Sequence, residues 1–176
     1  MHTDYEDGVS ELFNGKELTP ENLYKHASNI IKDRWPEAEP IIMEDPVYAY
    51  WYARRIIKGR WPEAEPHIME EPHYACWYAE HTIKDRWPEA ESHIIKDPGS
   101  AVDYARYVIK GRWPEAEPHI MKDPKYAYWY ACDVIKDRWP EAEPYIMKKQ
   151  DAWRGYCEYF GIDRWAVYKA YRSSQL

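Results

Sequence analysis

The sequence predicts an all-α fold, an α-solenoid of 26-residue helix-turn-helix repeats with degenerate copies at both ends. Three observations carry that expectation. Arg-Trp-Pro-Glu-Ala-Glu recurs five times, its tryptophan at Trp35, Trp61, Trp87, Trp113 and Trp139, always 26 residues on. An acidic residue followed by proline divides the copies at Asp45-Pro46, Glu71-Pro72, Asp97-Pro98 and Asp123-Pro124. Apolar residues in each half follow helical spacing. A sixth, partial copy keeps the register at Arg164-Trp165, with Ala166 in place of proline.

The elements follow in order. Residues 1–18 match nothing in the repeat and form a short cap or a flexible lead. Residues 19–34 are a degenerate first repeat: Thr19-Pro20 reproduces the cap, and Leu23, Ala27, Ile30 and Ile31 keep the apolar stripe. The tandem array spans 35–152, and capping helices occupy 153–176, with the whole chain a single domain. Trp153, Gly155, Phe160 and Gly161 break the pattern there, and Lys169 and Arg172 add polarity.

Within one copy, Glu37 and Glu39 stand in the opening turn of a short helix over 36–43, where carboxylates complement the helix dipole. Pro40 interrupts that helix, leaving either a kink or a turn with a later start; Ser92 replaces it in the third copy. A second helix over 46–57 starts at the Asp-Pro cap and ends at Lys58-Gly59, with glycine as the C-terminal cap. Trp35, Ala38 and Ile42 face inward from the first helix, and Ala49, Tyr52, Ala53, Ile56 and Ile57 from the second.

Composition narrows function. Ten Trp and 17 Tyr against two Phe give buried and contact surfaces built from rings that carry a polar atom. A net charge of −7 argues against a nucleic-acid or anionic-membrane partner. Cys76, Cys132 and Cys157 fall at three different repeat positions and read as reduced thiols of a cytoplasmic protein. Neither a signal peptide nor a membrane-length apolar run is present in the sequence.

Function is sought where the copies differ. On a helical wheel Trp51, Trp77 and Trp129 point away from the alanine stripe, and Asp103 holds that position in the third copy. Flanked by Tyr48 and Arg55, Tyr74 and His81, and Tyr126 and Asp133, they form either a protein-binding strip with rungs about 10 Å apart or inter-repeat packing over long side-chain stems. Gly99, Ser100, Val102 and Asp103 make the third copy either a notch for a partner's side chain or a drifted repeat.

The paired carboxylates Glu37 and Glu39, Glu63 and Glu65, Glu89 and Glu91, Glu115 and Glu117, and Glu141 and Glu143 support an alternative, an acidic mimic of nucleic acid. Because every copy has them, they also fit helix capping and pairing with Arg34, Arg60, Arg86, Arg112 and Arg138 in ladders along the array. His67, His93 and His119 share one position but cannot converge on one metal ion from stacked copies. The sequence contains no nucleophile elbow, phosphate loop or zinc motif, so a non-enzymatic module without cofactor is expected. A small-molecule or glycan binder is a further alternative.

The units RWPEAEPIIMEDPVYAYWYA, RWPEAEPHIMEEPHYACWYA and RWPEAEPHIMKDPKYAYWYA resemble the RWPEAEP tandem-repeat proteins of bacteriophage and prophage genomes, closely over residues 30–149. The resemblance implies a phage setting, action inside a bacterial host cell, and a host or anti-phage defence protein as partner.

Overall fold

The structure, a computed structural model, describes residues 18–173. Among them are helices and turns and no strand, an all-α repeat array of the solenoid class. The expectations for residues 1–17 and 174–176 lie outside the described residues, as does any reading of the Arg172 side chain. The chain divides into two compact units, Met1–Ile94 and Ile95–Leu176.

In the first unit, α1 (Pro20–His26) runs straight into a π-helical turn, π1 (Ala27–Ile31). Then come α2 (Glu39–Ile42), α3 (Pro46–Tyr52) with π2 (Ala53–Ile57), α4 (Glu65–Ile68), α5 (Pro72–Tyr78) with π3 (Ala79–Ile83), and α6 (Pro88–Ile94). The second unit holds α7 (Pro98–Asp103) with π4 (Tyr104–Ile109), α8 (Glu117–Ile120), α9 (Pro124–Tyr130) with π5 (Ala131–Ile135), α10 (Glu143–Ile146), α11 (Gln150–Phe160) and α12 (Arg164–Ser173).

The caps are where the sequence puts them. The Asp45 carboxylate accepts from the Val47 and Tyr48 N–H groups, Asp97 from Ser100, Asp123 from Lys125 and Tyr126, and the Thr19 hydroxyl from Asn22. Glu71, one methylene longer, makes no such bond.

Proline decides where the first helix starts. Without an N–H, Pro40 cannot bond back to Pro36, so residues 36–38 form a turn in which the Trp35 carbonyl accepts from both Ala38 and Glu39, and helix begins only at Glu39. Ser92 restores the donor, and α6 accordingly starts at Pro88, directly after Trp87, three residues earlier in the repeat than the first helices of the other copies.

The second helix departs from expectation. Its last turn widens to bonds five residues apart, as in Lys32 N–H to Ala27 C=O at 2.7 Å and Lys136 N–H to Ala131 C=O at 2.8 Å. Gly59 is not the left-handed cap. Lys32, Lys58, Lys84, Lys110 and Lys136 take that conformation, with φ of 59–63°, at a cost of about 1–2 kcal/mol each for a side-chain-bearing residue. The π turn also rotates the next side chains off the α-helical line. Ile56 and Ile57 are therefore half-buried, and Ile30 and Ile31 are exposed instead of extending the stripe. In α11, which has no π turn, Gly161 takes the left-handed position at φ 64°.

The core repeats with the sequence. The five repeat tryptophans are at most 5% exposed, and Ala38, Ile42, Ala49, Tyr52 and Ala53 are fully enclosed, as are their counterparts. One tyrosine joins successive copies. The Tyr52 hydroxyl accepts from the Trp35 backbone N–H at 2.6 Å and donates to the Glu39 carboxylate at 3.0 Å, while its ring packs on Trp61 of the next copy with centroids 5.1 Å apart. Tyr78 does the same for Trp61, Glu65 and Trp87, and in the second unit Tyr130 does so for Trp113, Glu117 and Trp139. Burial holds the hydroxyls of Tyr52, Tyr78, Tyr130 and Tyr156 well above the ordinary tyrosine range.

Candidate functional site

The second glutamate of each motif belongs to this framework. Glu39, Glu65 and Glu143 are buried, and Glu91 and Glu117 half-buried. Each takes a two-pronged bond from the arginine five residues earlier, for example Arg34 Nε and Nη2 to Glu39 at 2.8 and 2.7 Å. These clamps lie within a repeat and do not form the ladders along the array that the sequence suggests. Of the ten carboxylates of the proposed acidic face, only Glu37, Glu63, Glu89, Glu115 and Glu141 are exposed. The carboxylate surface a nucleic-acid mimic would need is thus halved.

The outward face of the second helices is the other candidate, and it is built from the α-to-π junction. In the first unit Trp51 lies in the last turn of α3, and Arg54 and Arg55 follow within π2, about one turn further on. The Arg55 guanidinium lies 4.4 Å from the Trp51 ring centre. Trp77, one repeat on, meets Trp51 edge-on at 6.5 Å, closer than the helix spacing expected for a strip because the indoles lean together. Tyr74 stands edge-on to Trp77 at 5.8 Å, and the His73 ring lies 4.0 Å from it. Both tryptophans are half-buried. The cation over Trp51 comes from its own helix, one turn away, and not from the next repeat.

Not every predicted member joins this face. Tyr48 packs on Tyr24 of the degenerate copy, centroids 5.8 Å apart. The His81 Nδ1 lies 3.1 Å from the Trp77 carbonyl. In the second unit Trp129 is 42% exposed, with Tyr126 edge-on at 5.7 Å and the Lys125 Nζ 4.4 Å from its ring. Asp103 is half-buried on α7. Gly99 makes no notch: a Cβ there would lie 3.0 Å from Cζ and the hydroxyl of Tyr126, so the missing side chain is the space that ring fills.

Sequence reasoning missed Tyr50, Arg54 and His73. The Tyr50 ring is fully enclosed between Trp51, Tyr74 and Trp77, and its hydroxyl accepts from Arg54 Nη1 at 2.6 Å. The four-residue spacing of Tyr50 and Arg54 was the available signal. A second missed feature is an open cavity of about 460 Å³ in the second unit, lined by Arg106, Tyr107, Cys132, Asp133, Lys136 and Tyr159, with Arg106 and Asp133 paired at 2.8 Å.

Reactive groups are few on this surface. The three cysteines are free and buried, and burial pushes the Cys132 thiol up to about 12 and the Cys157 thiol up to about 11. Among the described residues, no group of three metal-ligating side chains is gathered and no helix is long and apolar enough to cross a membrane. Compared with protein-family models, curated proteins and solved structures, the chain matches none.

Proposed function

We propose that this chain is a non-enzymatic recognition module that binds a protein through the aromatic face of its second helices. In keeping with the phage repeat resemblance, that protein is a bacterial host or anti-phage defence protein met in the host cytoplasm. The observation that supports this reading most is the contact of Trp51 with Trp77, two half-buried indoles set against each other with Arg55 stacked on one of them. Tryptophan, tyrosine and arginine dominate interface energetics, and rings already held by neighbours lose little freedom on binding.

The test compares the wild-type chain with the triple variant Trp51→Ala, Trp77→Ala and Trp129→Ala in affinity capture from bacterial lysate, followed by mass spectrometry. The proposal expects one protein captured by the wild type and lost by the variant, with the helical circular-dichroism spectrum unchanged. Capture that survives the three substitutions would remove the face from consideration.

A further inference from the structure

Arg54 and Arg55 differ from the arginines of the repeat motif. Arg34, Arg60, Arg86, Arg112 and Arg138 are each clamped on a glutamate, and Arg106 and Arg154 are paired with Asp133 and Asp151. Among the described residues, no carboxylate comes within ion-pair distance of Arg54 or Arg55, in a chain of net charge −7. Both side chains are exposed. The equivalent positions carry Glu80 and His81, Arg106 and Tyr107, Cys132 and Asp133, and Glu158 and Tyr159, so this pairing of two cations occurs in one repeat alone.

The two guanidinium groups are nevertheless held in place. Arg55 lies on the Trp51 ring at 4.4 Å, and Arg54 donates to the Tyr50 hydroxyl at 2.6 Å and stands 5.7 Å from the same indole. Stacking occupies a face of the Arg55 guanidinium and leaves its in-plane N–H groups available. Glu80, the acidic residue of the next repeat, is turned to His81, with Oε2 3.8 Å from Nδ1. Two cations, fixed beside the Trp51 and Trp77 indoles, match a carboxylate two-prong with apolar surface next to it.

We infer that Arg54 and Arg55 receive the carboxylates of an acidic segment of a protein partner, seated against Trp51 and Trp77. The assignment rests on the aromatic face being the binding surface and adds which partner chemistry it selects.

The test uses the full chain and a short poly-L-glutamate peptide as probe, with affinity measured by calorimetry. A single-stranded DNA oligonucleotide of equal charge serves as the phosphate-bearing alternative. The wild type should bind the peptide, and the double variant Arg54→Gln and Arg55→Gln should weaken it by about tenfold or more, the loss of two charge-assisted bonds. Arg154→Gln, which removes an exposed arginine already paired with Asp151, should leave it unchanged.

Peptide binding indifferent to the double variant would overturn the assignment, as would equal or tighter binding of the oligonucleotide or no peptide binding at all. Loss of the lysate partner on replacing the tryptophans, with no loss on replacing the arginines, would overturn this inference and leave the binding face standing. Arg54, Arg55 and Arg154 are exposed, and an unchanged urea midpoint certifies the fold of the arginine variants.

Discussion

Tyr52 and Trp61 lie ring on ring across a repeat boundary, centroids 5.1 Å apart and planes inclined at 42°. The same tyrosine's hydroxyl is tied back to Trp35 and Glu39 in its own repeat, so one side chain couples two copies. Trp61, Trp113 and Trp139 therefore each have the backbone N–H held by one tyrosine and the ring covered by another, while the Trp35 ring is covered by His26.

Removing only the hydroxyl isolates the polar half of this link. Tyr130→Phe keeps the ring on Trp139 but strands the enclosed Trp113 N–H and deprives Glu117 of a donor. It should cost about 1–3 kcal/mol, the penalty for leaving a buried donor unmade. Urea unfolding followed by far-UV circular dichroism measures it; a loss below a few tenths of a kcal/mol would mean that water replaces the hydroxyl freely.

Alkaline pH should act on the same groups together. Tyr52, Tyr78, Tyr130 and Tyr156 have folded-state hydroxyls raised above the ordinary value of 10. Below pH about 10 both folded and unfolded chains keep these protons, and their contribution to stability is fully present. Above it the unfolded chain loses protons first, so stability falls by up to about 1.4 kcal/mol per pH unit for each tyrosine. Urea midpoints should be insensitive to these groups from pH 8 to about 10 and then drop steeply, and a flat profile beyond that range would mean the hydroxyls are not enclosed.

Thr82 carries a buried hydroxyl with no hydrogen-bond partner among the described residues, at a position where other copies have Ile56, Val108 and Val134. Thr82→Val keeps the shape and removes the unsatisfied oxygen. It should stabilise the chain by about 1 kcal/mol, read as a higher urea midpoint; a lower midpoint would show that the oxygen is solvated.

Gly99 and Tyr126 should be coupled. Alanine at 99 gains about 1 kcal/mol of helix propensity but sets its Cβ 3.0 Å from the Tyr126 ring. Gly99→Ala should stabilise a Tyr126→Ala background by about that amount and lose this benefit, or reverse it, beside the native tyrosine. Equal effects in both backgrounds would disprove the contact.

The parts legible in the sequence were those that local chemistry decides. The 26-residue period, the Asp-Pro caps and the alanine stripe fixed the repeat, its helix starts and its core, because each acts within one or two turns. Glu39 was not legible as buried, since its partners are Arg34, five residues before, and Tyr52, thirteen after, and only folding brings the latter in. Gly59 suggested the wrong cap, because the π turn hands the left-handed conformation to Lys58, against the preference of its side chain. At the candidate site the Trp51, Tyr74 and Trp77 grouping was legible from repeat spacing. The enclosed Tyr50 was not, since its burial depends on rings contributed by the next copy.

The central claim is a division of labour between two sets of tryptophans: the motif indoles hold the array together, and those of the second helices face outward. Trp61→Ala and Trp77→Ala, compared by urea unfolding, test it most directly. Trp61, 2% exposed, should cost about 3–5 kcal/mol, the usual penalty for truncating an enclosed large aromatic, while half-buried Trp77 should cost about 1 kcal/mol. Equal losses would contradict the account and make both sets core.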